Sequence, residues 1–465
     1  MKRLRLDLLR YRPVAWLVKK KFFPLGVQVL VLGIVLAVAA IGWGRGVGMD
    51  ASELLLFRKT NLATLLVWGL WWPAMIVAVV LVGRVWCAVC PLELVNRFAD
   101  ALARKVGWRR AALGPFLRAG WIMLAGYVTL QILVVVVDLH RMPHYSAVVI
   151  VSLIGAAFLS GLFFKHPRSF CRAFCPVGAL LSAYGRQTAV QLEVRDDDVC
   201  ARCETKDCIR EKNRYRLDAR SCPSLLKPFD RGPSDGCLVC LQCAKACPHD
   251  NVGFGLVLPD APIRRKSLLE PFEAGFILMA AGFLVHETTE HIAWMDRAFT
   301  ALPHRLAPAS VPWHWVEGAW YLFVFPLFVW TAVVVSVRLV RGGGPWGRTI
   351  RAAATGAAPL VAMAHLAKAL SKIGGWAAYL PGALVDPSGL TTFRDITVGA
   401  TSAPGPLYGL GVLGRLVLPF FLAVGWWAWR WIGRLPEQDR APARGGWLLG
   451  LLLFGVILVS WGLTA

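Results

Sequence analysis

The segment from Cys200 to Pro248 decides the fold class of this chain. It contains two cysteine runs, which read CARCETKDC at 200–208 and CLVCLQCAKACP at 237–248, and a further CP at 222–223 lies between them. The last run has the spacing Cys-x2-Cys-x2-Cys-x3-Cys-Pro, in which three thiolates bind one cubane cluster and the fourth binds its neighbour. The first run is the same motif with two extra residues in its second gap and with its fourth cysteine displaced to Cys222. Both runs therefore indicate iron–sulfur chemistry.

The two runs predict two 4Fe-4S clusters with crossed ligation. A tight loop wraps three corners of a cubane more easily than the fourth, so the last cysteine of each run is assigned to the other cluster. The first cluster is assigned the ligands Cys200, Cys203, Cys208 and Cys247. The second cluster is assigned the ligands Cys222, Cys237, Cys240 and Cys243. Zinc usually takes two separated cysteine pairs, which is a different spacing from this one. A disulfide framework needs an oxidising compartment, whereas the topology predicted below places this segment in the cytoplasm.

The composition predicts a polytopic membrane protein. The chain has 465 residues, of which 57% are hydrophobic and 21 are Trp, and its mean hydropathy is +0.55. Apolar runs of about 20 residues, the length that crosses a bilayer core, recur along it. The net charge of +23 would suit a nucleic-acid-binding protein. The basic residues lie beside the apolar runs on alternate loops, however, as the positive-inside rule requires. We therefore expect contacts with membrane lipid and none with nucleic acid.

About nine transmembrane helices are expected from these apolar runs. The predicted spans are 24–43, 62–82, 119–137, 146–164, 268–285, 319–339, 352–373, 410–432 and 447–463. The long basic leader before the first span favours a retained helix over a cleaved signal peptide. The basic loops place the N-terminus and the cysteine runs in the cytoplasm and the C-terminus in the periplasm. The chain is therefore expected in a bacterial-type inner membrane.

The predicted fold class is an all-α polytopic membrane protein with a small α+β ferredoxin-like insert that holds two clusters. Residues 1–195 form a four-span membrane domain with two Cys-Pro motifs. Residues 196–266, which end at the basic run RRK (264–266), form the cytoplasmic insert. Residues 267–465 form a C-terminal membrane domain of five spans.

A second set of cysteines stands where the second and fourth predicted spans reach the cytoplasmic side. It consists of two pairs, Cys87/Cys90 and Cys171/Cys175, and each pair precedes a proline. Proline is favoured at the first position of a helix, so each pair is expected to begin a new helix with both thiols on one face. Four thiolates at a membrane edge could hold a third cluster, another metal such as copper(I) or zinc, or a redox disulfide. Buried cysteines that only fill space are the alternative.

The order of these motifs resembles that of the membrane polyferredoxins. The resemblance rests on GRVWCAVCP (83–91), on CRAFCPVGA (171–179) and on the cysteine runs that follow, and it covers roughly residues 60–255. This family contains the quinol-dehydrogenase-type 4Fe-4S membrane subunits of the periplasmic nitrate and nitrous-oxide reductase systems and their relatives. The resemblance implies electron transfer with the quinone pool. The family's usual motif is Cys-x3-Cys-Pro twice, whereas the first motif here is Cys-x2-Cys-Pro, and the five C-terminal spans fall outside the resemblance.

Ionisable residues in the C-terminal half are the candidate catalytic residues of a quinone site. They lie on the fifth and seventh predicted spans toward the periplasmic side and are His286, Glu287, Glu290, His291, His365 and Lys368. His/carboxylate pairs can accept the two protons of a quinol, and ionisable groups inside a membrane usually have a function. A polar helix end in interfacial water and a lysine that snorkels outward are the simpler interpretations. The histidines could also pair as ligands of haem b, whereas the lack of a Cys-x-x-Cys-His motif argues against c-type haem.

The function expected from these features is electron transfer between a soluble or peripheral redox protein and the membrane quinone pool. The quinone would bind among the C-terminal spans, and the competing location is beside Cys87 and Cys171. One alternative is a metal- or thiol-reducing maturation factor that uses the second cysteine set. Another is a membrane anchor and electron relay of a multi-subunit redox complex.

Overall fold

Two compact units make up the computed structural model, which describes residues 4–186, 188, 190–229, 236–257, 268–308, 310–341 and 344–464. The first unit consists of Met1–Ala37, Ala78–Met123 and Ile150–Arg265. The second consists of Val38–Val77, Leu124–Val149 and Lys266–Ala465. All twelve cysteines belong to the first unit. The predicted basic run at 264–266 lies outside the described residues, so the predicted three-domain division remains a prediction.

Helices dominate both units, and the three strands found among the described residues belong to the first. The strands are β1 Leu4–Asp7, β2 Val190–Val194 and β3 Val252–Val257. The helices of eight or more residues are α1 Arg12–Lys19, α2 Leu25–Gly42, α3 Ala51–Thr60, α4 Leu62–Val82, α5 Pro91–Lys105, α6 Trp121–Val136, α7 Pro143–Phe163, α8 Gly178–Gly185, α9 Pro271–Thr289, α10 Ala293–Leu306, α11 Trp313–Val340, α12 Trp346–Val385, α13 Leu390–Thr397, α14 Leu410–Ile432 and α15 Glu437–Leu463.

Seven helices among the described residues are long and apolar enough to cross a membrane, namely α2, α4, α7, α11, α12, α14 and α15. They coincide with seven of the predicted spans and are compatible with a multi-pass membrane protein. The other two predicted spans form helices that each fail one of the two requirements, length or apolar character. α6 has only 16 residues, and α9 carries Glu273, His286 and Glu287 among its 19 residues. The count of nine spans and their orientation therefore remain predictions.

The sheet of the first unit combines distant parts of the chain. Its strand order is β1-β3-β2, and β3 pairs antiparallel with both neighbours. Gly255 of β3 lies so close to β1 that a side chain there would overlap the backbone of Leu6. Asp7 at the end of β1 pairs with Arg195 Nε at 2.8 Å just after β2. The α+β part thus extends beyond the predicted insert 196–266, because the N-terminal leader and β2 supply two of its three strands.

The centre of the second unit is α12. Its apolar window is 83% buried, far more than in the other candidate spans. Small residues let α15 approach it closely, because a side chain at Gly356 would overlap the backbone of Ala443 and one at Gly446 would overlap that of Ala353. Close backbone approach through small residues is a general route to helix association in membranes. The Ala-rich sequence of α12 therefore reflects its position against other helices rather than against lipid.

Candidate functional site

The twelve cysteines of the first unit fall into three groups of four, and no cysteine forms a disulfide. The outer group is Cys200, Cys203, Cys208 and Cys247. The middle group is Cys222, Cys237, Cys240 and Cys243. The membrane-edge group is Cys87, Cys90, Cys171 and Cys175.

The outer group surrounds a small cavity of about 20 Å³. Cys200, Cys203 and Cys208 line it from the first run and Cys247 lines it from the second, as the predicted crossed ligation requires. Asn251 holds two of the sulfurs, because its side-chain N–H donates to Cys200 Sγ at 3.2 Å and its backbone N–H donates to Cys247 Sγ at 3.3 Å. Burial and the three neighbouring thiols raise the pKa of Cys208 to about 11. The four sulfurs are thus close enough to repel one another as thiolates.

The middle group lies on a strained loop. Val239 (φ 54°) and Leu241 (φ 57°), on either side of Cys240, adopt left-handed backbone conformations. Such conformations are costly for a β-branched residue, and residues held in them cluster at functional sites. Burial raises the pKa of Cys240 to about 12, Arg220 opposes this shift and Cys222 adds to it. The unfavourable backbone conformation of this loop therefore directs the buried thiol of Cys240 toward its partners.

The two cysteine pairs of the membrane-edge group differ in the structure that follows them. Cys90 is the N-cap of α5, whose first residue is Pro91, as predicted. Cys175 instead ends the short π-helical turn Phe170–Phe174, and the following helix, α8, begins only at Gly178. The expectation that both pairs begin a helix is therefore met at Cys90 and wrong at Cys175, where Pro176 and Val177 still belong to a turn.

The four membrane-edge thiols lie close enough to shift one another's pKa values although their pairs lie far apart in the sequence. Burial raises the pKa of Cys90 well above its ordinary value, and the thiols of Cys171, Cys87 and Cys175 raise it further. Burial likewise raises the pKa of Cys175 to about 12. Mutually repelling thiolates in a buried site suit a bound group that carries positive metal charge.

The three groups follow one another in space within the first unit. Cys243 of the middle group lies in one hydrophobic cluster with Cys208 and Cys247 of the outer group. Cys240 of the middle group lies in a second hydrophobic cluster with Cys87 of the membrane-edge group. The middle group therefore bridges the other two through packed side chains.

A buried arginine stands beside the membrane-edge group. Burial lowers the pKa of Arg168, but the thiols of Cys171 and Cys87 outweigh it, so the pKa rises above its ordinary value. Its Nη1 donates to Ser224 Oγ at 2.9 Å. Its Nε and Nη2 are buried without an oxygen or nitrogen acceptor among the described residues. Two such donors beside sulfur suit a sulfur-rich bound group, whose properties depend on hydrogen bonds to its sulfurs.

The donor chemistry of all three groups fits an iron–sulfur cluster. Soft thiolate ligands select iron–sulfur clusters, copper(I) and zinc, and each group offers four of them. Within the described part of the chain, no three His, Cys, Asp or Glu side chains converge as ligands of one single ion.

A buried ion pair connects α5 to the cysteine segment. Arg220 Nη2 donates to Glu93 Oε1 at 3.0 Å, and Gln28 Nε2 donates to Glu93 Oε2 at 2.8 Å. Burial alone would raise the pKa of Glu93, but Arg220, Arg97 and Arg168 lower it to about 2. Sequence reasoning missed these residues, and the available signal was Glu93 itself, the acidic residue in the first turn of a helix that ends in Arg104 and Lys105.

The second unit encloses a cavity of about 860 Å³. Five of the six predicted catalytic residues line it, namely His286, Glu287, Glu290, His291 and Lys368. The sixth, His365, is not among the lining residues. Its buried ring lies against Phe283, which does line the cavity, with ring centroids 5.6 Å apart.

The predicted spans that carry these residues contact one another at the cavity. Lys368 of α12 forms an ion pair with Glu287 of α9. His286 stacks on Tyr321 of α11 with ring centroids 4.3 Å apart, and its Nδ1 lies 4.0 Å from Glu317 Oε1. Acidic and basic groups from three helices therefore meet in one cavity, which the sequence alone left open.

Comparison with known proteins identifies a 4Fe-4S binding domain in the chain. The family model with that description matches residues 64–109 and 148–190. These two segments carry all four cysteines of the membrane-edge group. The iron–sulfur prediction is thereby confirmed in its coarser form, because the match supports cluster binding and electron transfer without fixing the number of clusters.

Three curated proteins are similar to parts of the chain. The methylamine utilization ferredoxin-type protein MauN of Paracoccus denitrificans is 31% identical over 133 residues, which are 26% of this chain and 46% of MauN. Two uncharacterized proteins of Methanocaldococcus jannaschii are also similar. MJ0750 is 31% identical over 106 residues (23% of this chain, 38% of that protein), and MJ0749 is 29% identical over 134 residues (25% and 49%). The chain thus spans less than half the length of each relative, and no solved structure matches it.

Proposed function

We propose that this chain is a membrane-bound iron–sulfur protein that passes electrons between a redox partner and the membrane quinone pool. The observation that carries the proposal is the series of three four-cysteine groups in the first unit. When bound there, 4Fe-4S clusters supply one-electron transfer. The chain's own residues position the sulfurs, exclude water from the middle and membrane-edge groups and provide buried positive charge beside them.

The membrane-edge group is proposed to hold a third cluster in addition to the two assigned from the cysteine runs. Two observations support this choice over copper(I), zinc or a redox disulfide. The 4Fe-4S family model matches the segments that carry Cys87, Cys90, Cys171 and Cys175 rather than the later runs. Arg168 presents two buried donors without an oxygen or nitrogen acceptor among the described residues, which suits inorganic and thiolate sulfur.

The outer group is proposed as the contact point for a soluble or peripheral redox protein, either alone or within a multi-subunit redox complex. Cys203 lies at the surface. A hydrogen bond from the backbone N–H of Lys206 to Cys203 Sγ lowers the pKa of this thiol, and its slight burial, which acts in the opposite direction, does not cancel that effect. A ligand exposed in this way brings a bound cluster close to a docked partner. We place this side in the cytoplasm, following the basic loops.

The quinone is proposed to bind in the cavity of the second unit. Conversion of a quinol to a quinone releases two electrons and two protons, and the reverse conversion consumes them. His286, Glu290 and the Glu287–Lys368 ion pair offer proton acceptors and donors within this cavity. The location agrees with the preference of ligands for large cavities that carry a few convergent polar groups. His365 would act from behind Phe283 rather than on the quinone directly.

Metal analysis and a redox titration test the proposal. Purified protein should contain about twelve iron and twelve sulfide per chain if all three groups bind cubanes, or about eight if only the two cysteine runs do. Clusters followed by electron paramagnetic resonance should become reduced or oxidised when quinol or quinone is added. Stoichiometric zinc would reject the iron–sulfur assignment, because zinc has no redox chemistry. Cluster oxidation by copper(II) and disulfides but not by quinone would replace this function with metal or thiol reduction.

A further inference from the structure

The cavity of the second unit has a second set of polar residues that the quinone prediction did not include. Arg58 from α3 and His140 and Arg141 from the loop between α6 and α7 line it together with His286. These residues come from parts of the sequence that precede the cysteine runs. The site is therefore built from both halves of the chain.

Four nitrogen atoms around this cavity are buried without a hydrogen-bond partner among the described residues. They are Arg58 Nε, His140 Nδ1, Arg141 Nε and His286 Nδ1. A buried polar atom left unpaired costs free energy, and such atoms in native proteins call for an explanation. Their convergence on one cavity indicates a ligand with several hydrogen-bonding atoms.

The chemistry of the four atoms restricts that ligand. Burial and Arg141 lower the pKa of Arg58 to about 10, so it remains a cation at neutral pH. Arg141 Nη1 lies 3.1 Å from Asp138 Oδ1, so of the buried nitrogens of these two arginines only the two Nε atoms are left without a partner among the described residues. A guanidinium only donates hydrogen bonds, so a ligand at these two atoms must present acceptor oxygens. Burial, with Lys372 and Arg58, holds the pKa of His140 well below its ordinary value. A neutral imidazole has one donor and one acceptor nitrogen and can therefore serve either a carbonyl or a hydroxyl.

Aromatic side chains supply the remaining part of the site. Trp68, Trp72 and Tyr127 also line the cavity, and the rings of Trp72 and Tyr127 are stacked with centroids 6.3 Å apart. Flat rings favour offset or edge contacts with another ring. A planar ring with oxygen atoms at opposite ends would meet aromatic side chains on its faces and nitrogen donors at its edges.

We propose that Arg58 and Arg141 anchor the ring oxygens of a quinone in this cavity, so that the guanidinium groups stabilise the negative charge that reaches those oxygens before protons do. The inference rests on the proposed function and extends it by naming the substrate-binding residues. Fixed cations aimed at the atoms where charge develops are the usual source of such stabilisation. His286, Glu290 and the Glu287–Lys368 pair then exchange the protons.

Photolabelling of the cluster-containing protein with a short-chain azidoquinone tests the location of the site. Label is expected on peptides that contain residues 58–72, 127–141 or 283–291, and excess unlabelled quinone should remove it. This measurement uses the unaltered chain and so does not depend on the folding of a variant. Label confined to peptides around Cys87 or Cys171 would overturn the inference and move the quinone to the membrane-edge group.

Equilibrium binding of the same short-chain quinone tests the anchors. Arg58→Met and Arg141→Met should each weaken binding at least tenfold. Arg58→Lys, which keeps the positive charge but not the guanidinium that lies over the Trp376 ring, should weaken it less. Arg297→Met is the matched control, because Arg297 is exposed, bonds to its own helix at Ala293 and does not line the cavity. Unchanged affinity in both anchor variants, or displacement of the quinone by phosphatidylglycerol at equimolar concentration, would show instead that the arginines bind a lipid headgroup or no ligand.

The two proposals fail in distinguishable ways. Protein with full iron content and redox-active clusters but without label in the cavity would keep the proposed function and reject the arginine anchors. Protein that binds quinone in the cavity but contains no iron would reject the proposed function and keep the binding site.

Discussion

Arg220 Nη2 lies 3.0 Å from Glu93 Oε1, and both side chains are almost completely buried. This pair joins the segment between the two cysteine runs to the helix that follows Cys90 and Pro91. It therefore fixes the middle cysteine group against the membrane-edge group. Burying such a pair costs desolvation free energy, which offsets much of the attraction between the two charges. Its main effect is that the loss of either partner would leave an unpaired buried charge and destabilise the protein.

Removing one partner should be worse than removing both. Arg220→Met is expected to reduce the free energy of unfolding by about 3–5 kcal/mol, because Glu93 would remain as an unpaired buried charge. The double variant Arg220→Met/Glu93→Gln should recover much of that loss. Chemical denaturation in detergent, followed by circular dichroism, measures both. Lys19→Met, which removes an exposed pair with Asp250, should change stability by less than about 1 kcal/mol. Equal losses in the single and double variants would contradict this account.

Glu93 should make the protein sensitive to acid. Its pKa is about 2 in the folded protein against an ordinary value of 4.5. A lowered folded pKa stabilises the protein above the unfolded pKa, and this stabilisation is lost as the pH falls from about 4.5 toward 2. The difference corresponds to on the order of 3 kcal/mol at neutral pH. Stability measured between pH 7 and 3 should therefore fall less steeply in Glu93→Gln, and parallel curves for the two proteins would rule out this source.

Arg168 should raise the reduction potential of the group bound at the membrane edge. Its positive charge and its N–H donors stabilise the reduced, more negative state of a neighbouring cluster. In Arg168→Met that potential is expected to fall by roughly 60 mV, which is a tenfold change in a one-electron equilibrium. An electron paramagnetic resonance redox titration separates this centre from the others. Arg10→Met, at a side chain 70% exposed, is the control and should leave every potential unchanged. A uniform shift of all centres in Arg168→Met would indicate a general structural effect.

Crossed ligation predicts which cluster a single substitution damages. Cys247 lines the cavity of the outer group together with Cys200, Cys203 and Cys208. Cys247→Ala should therefore remove or convert the outer cluster, with a loss of up to about four iron atoms, and leave the middle cluster intact. Mössbauer and paramagnetic resonance spectra assign the loss. Damage to the cluster bound by Cys237, Cys240 and Cys243 would mean that each run binds its own cluster.

The topology depends on α6 and α9, the two helices that fall short of the length or the hydropathy of a membrane span. If α6 and α9 both cross the membrane, the segment around α10 faces the periplasm, whereas the cysteine groups face the cytoplasm. A protease site inserted after Ala307 should then be cleaved in intact spheroplasts. A site inserted after Arg216 should be cleaved only after lysis. Cleavage in the reverse order would place the cysteine groups outside.

Local sequence was sufficient to predict iron–sulfur binding and most of the helices. Cysteine spacing predicts that the two runs bind clusters, because a cubane accepts only loops of particular lengths. Hydrophobic length identified seven of the membrane-compatible helices because a bilayer sets that length. The N-cap at Cys90 also followed from Pro91 alone, since proline at the first helical position is a local preference. At Cys175 the same rule failed, because Pro176 and Val177 form a turn and the helix begins only at Gly178.

Only the tertiary structure decided which distant residues meet. The sequence contained the pairs Cys87/Cys90 and Cys171/Cys175, but their convergence depends on how the intervening helices pack. Glu93, Arg168 and Arg220 read as ordinary charged residues until burial and proximity made them one network. Arg58 and Arg141 likewise join His286 only because their helices and loops enclose a common cavity. Residue type and spacing determine what a side chain can do, whereas burial and neighbours, which arise from contacts between remote segments, determine what it does.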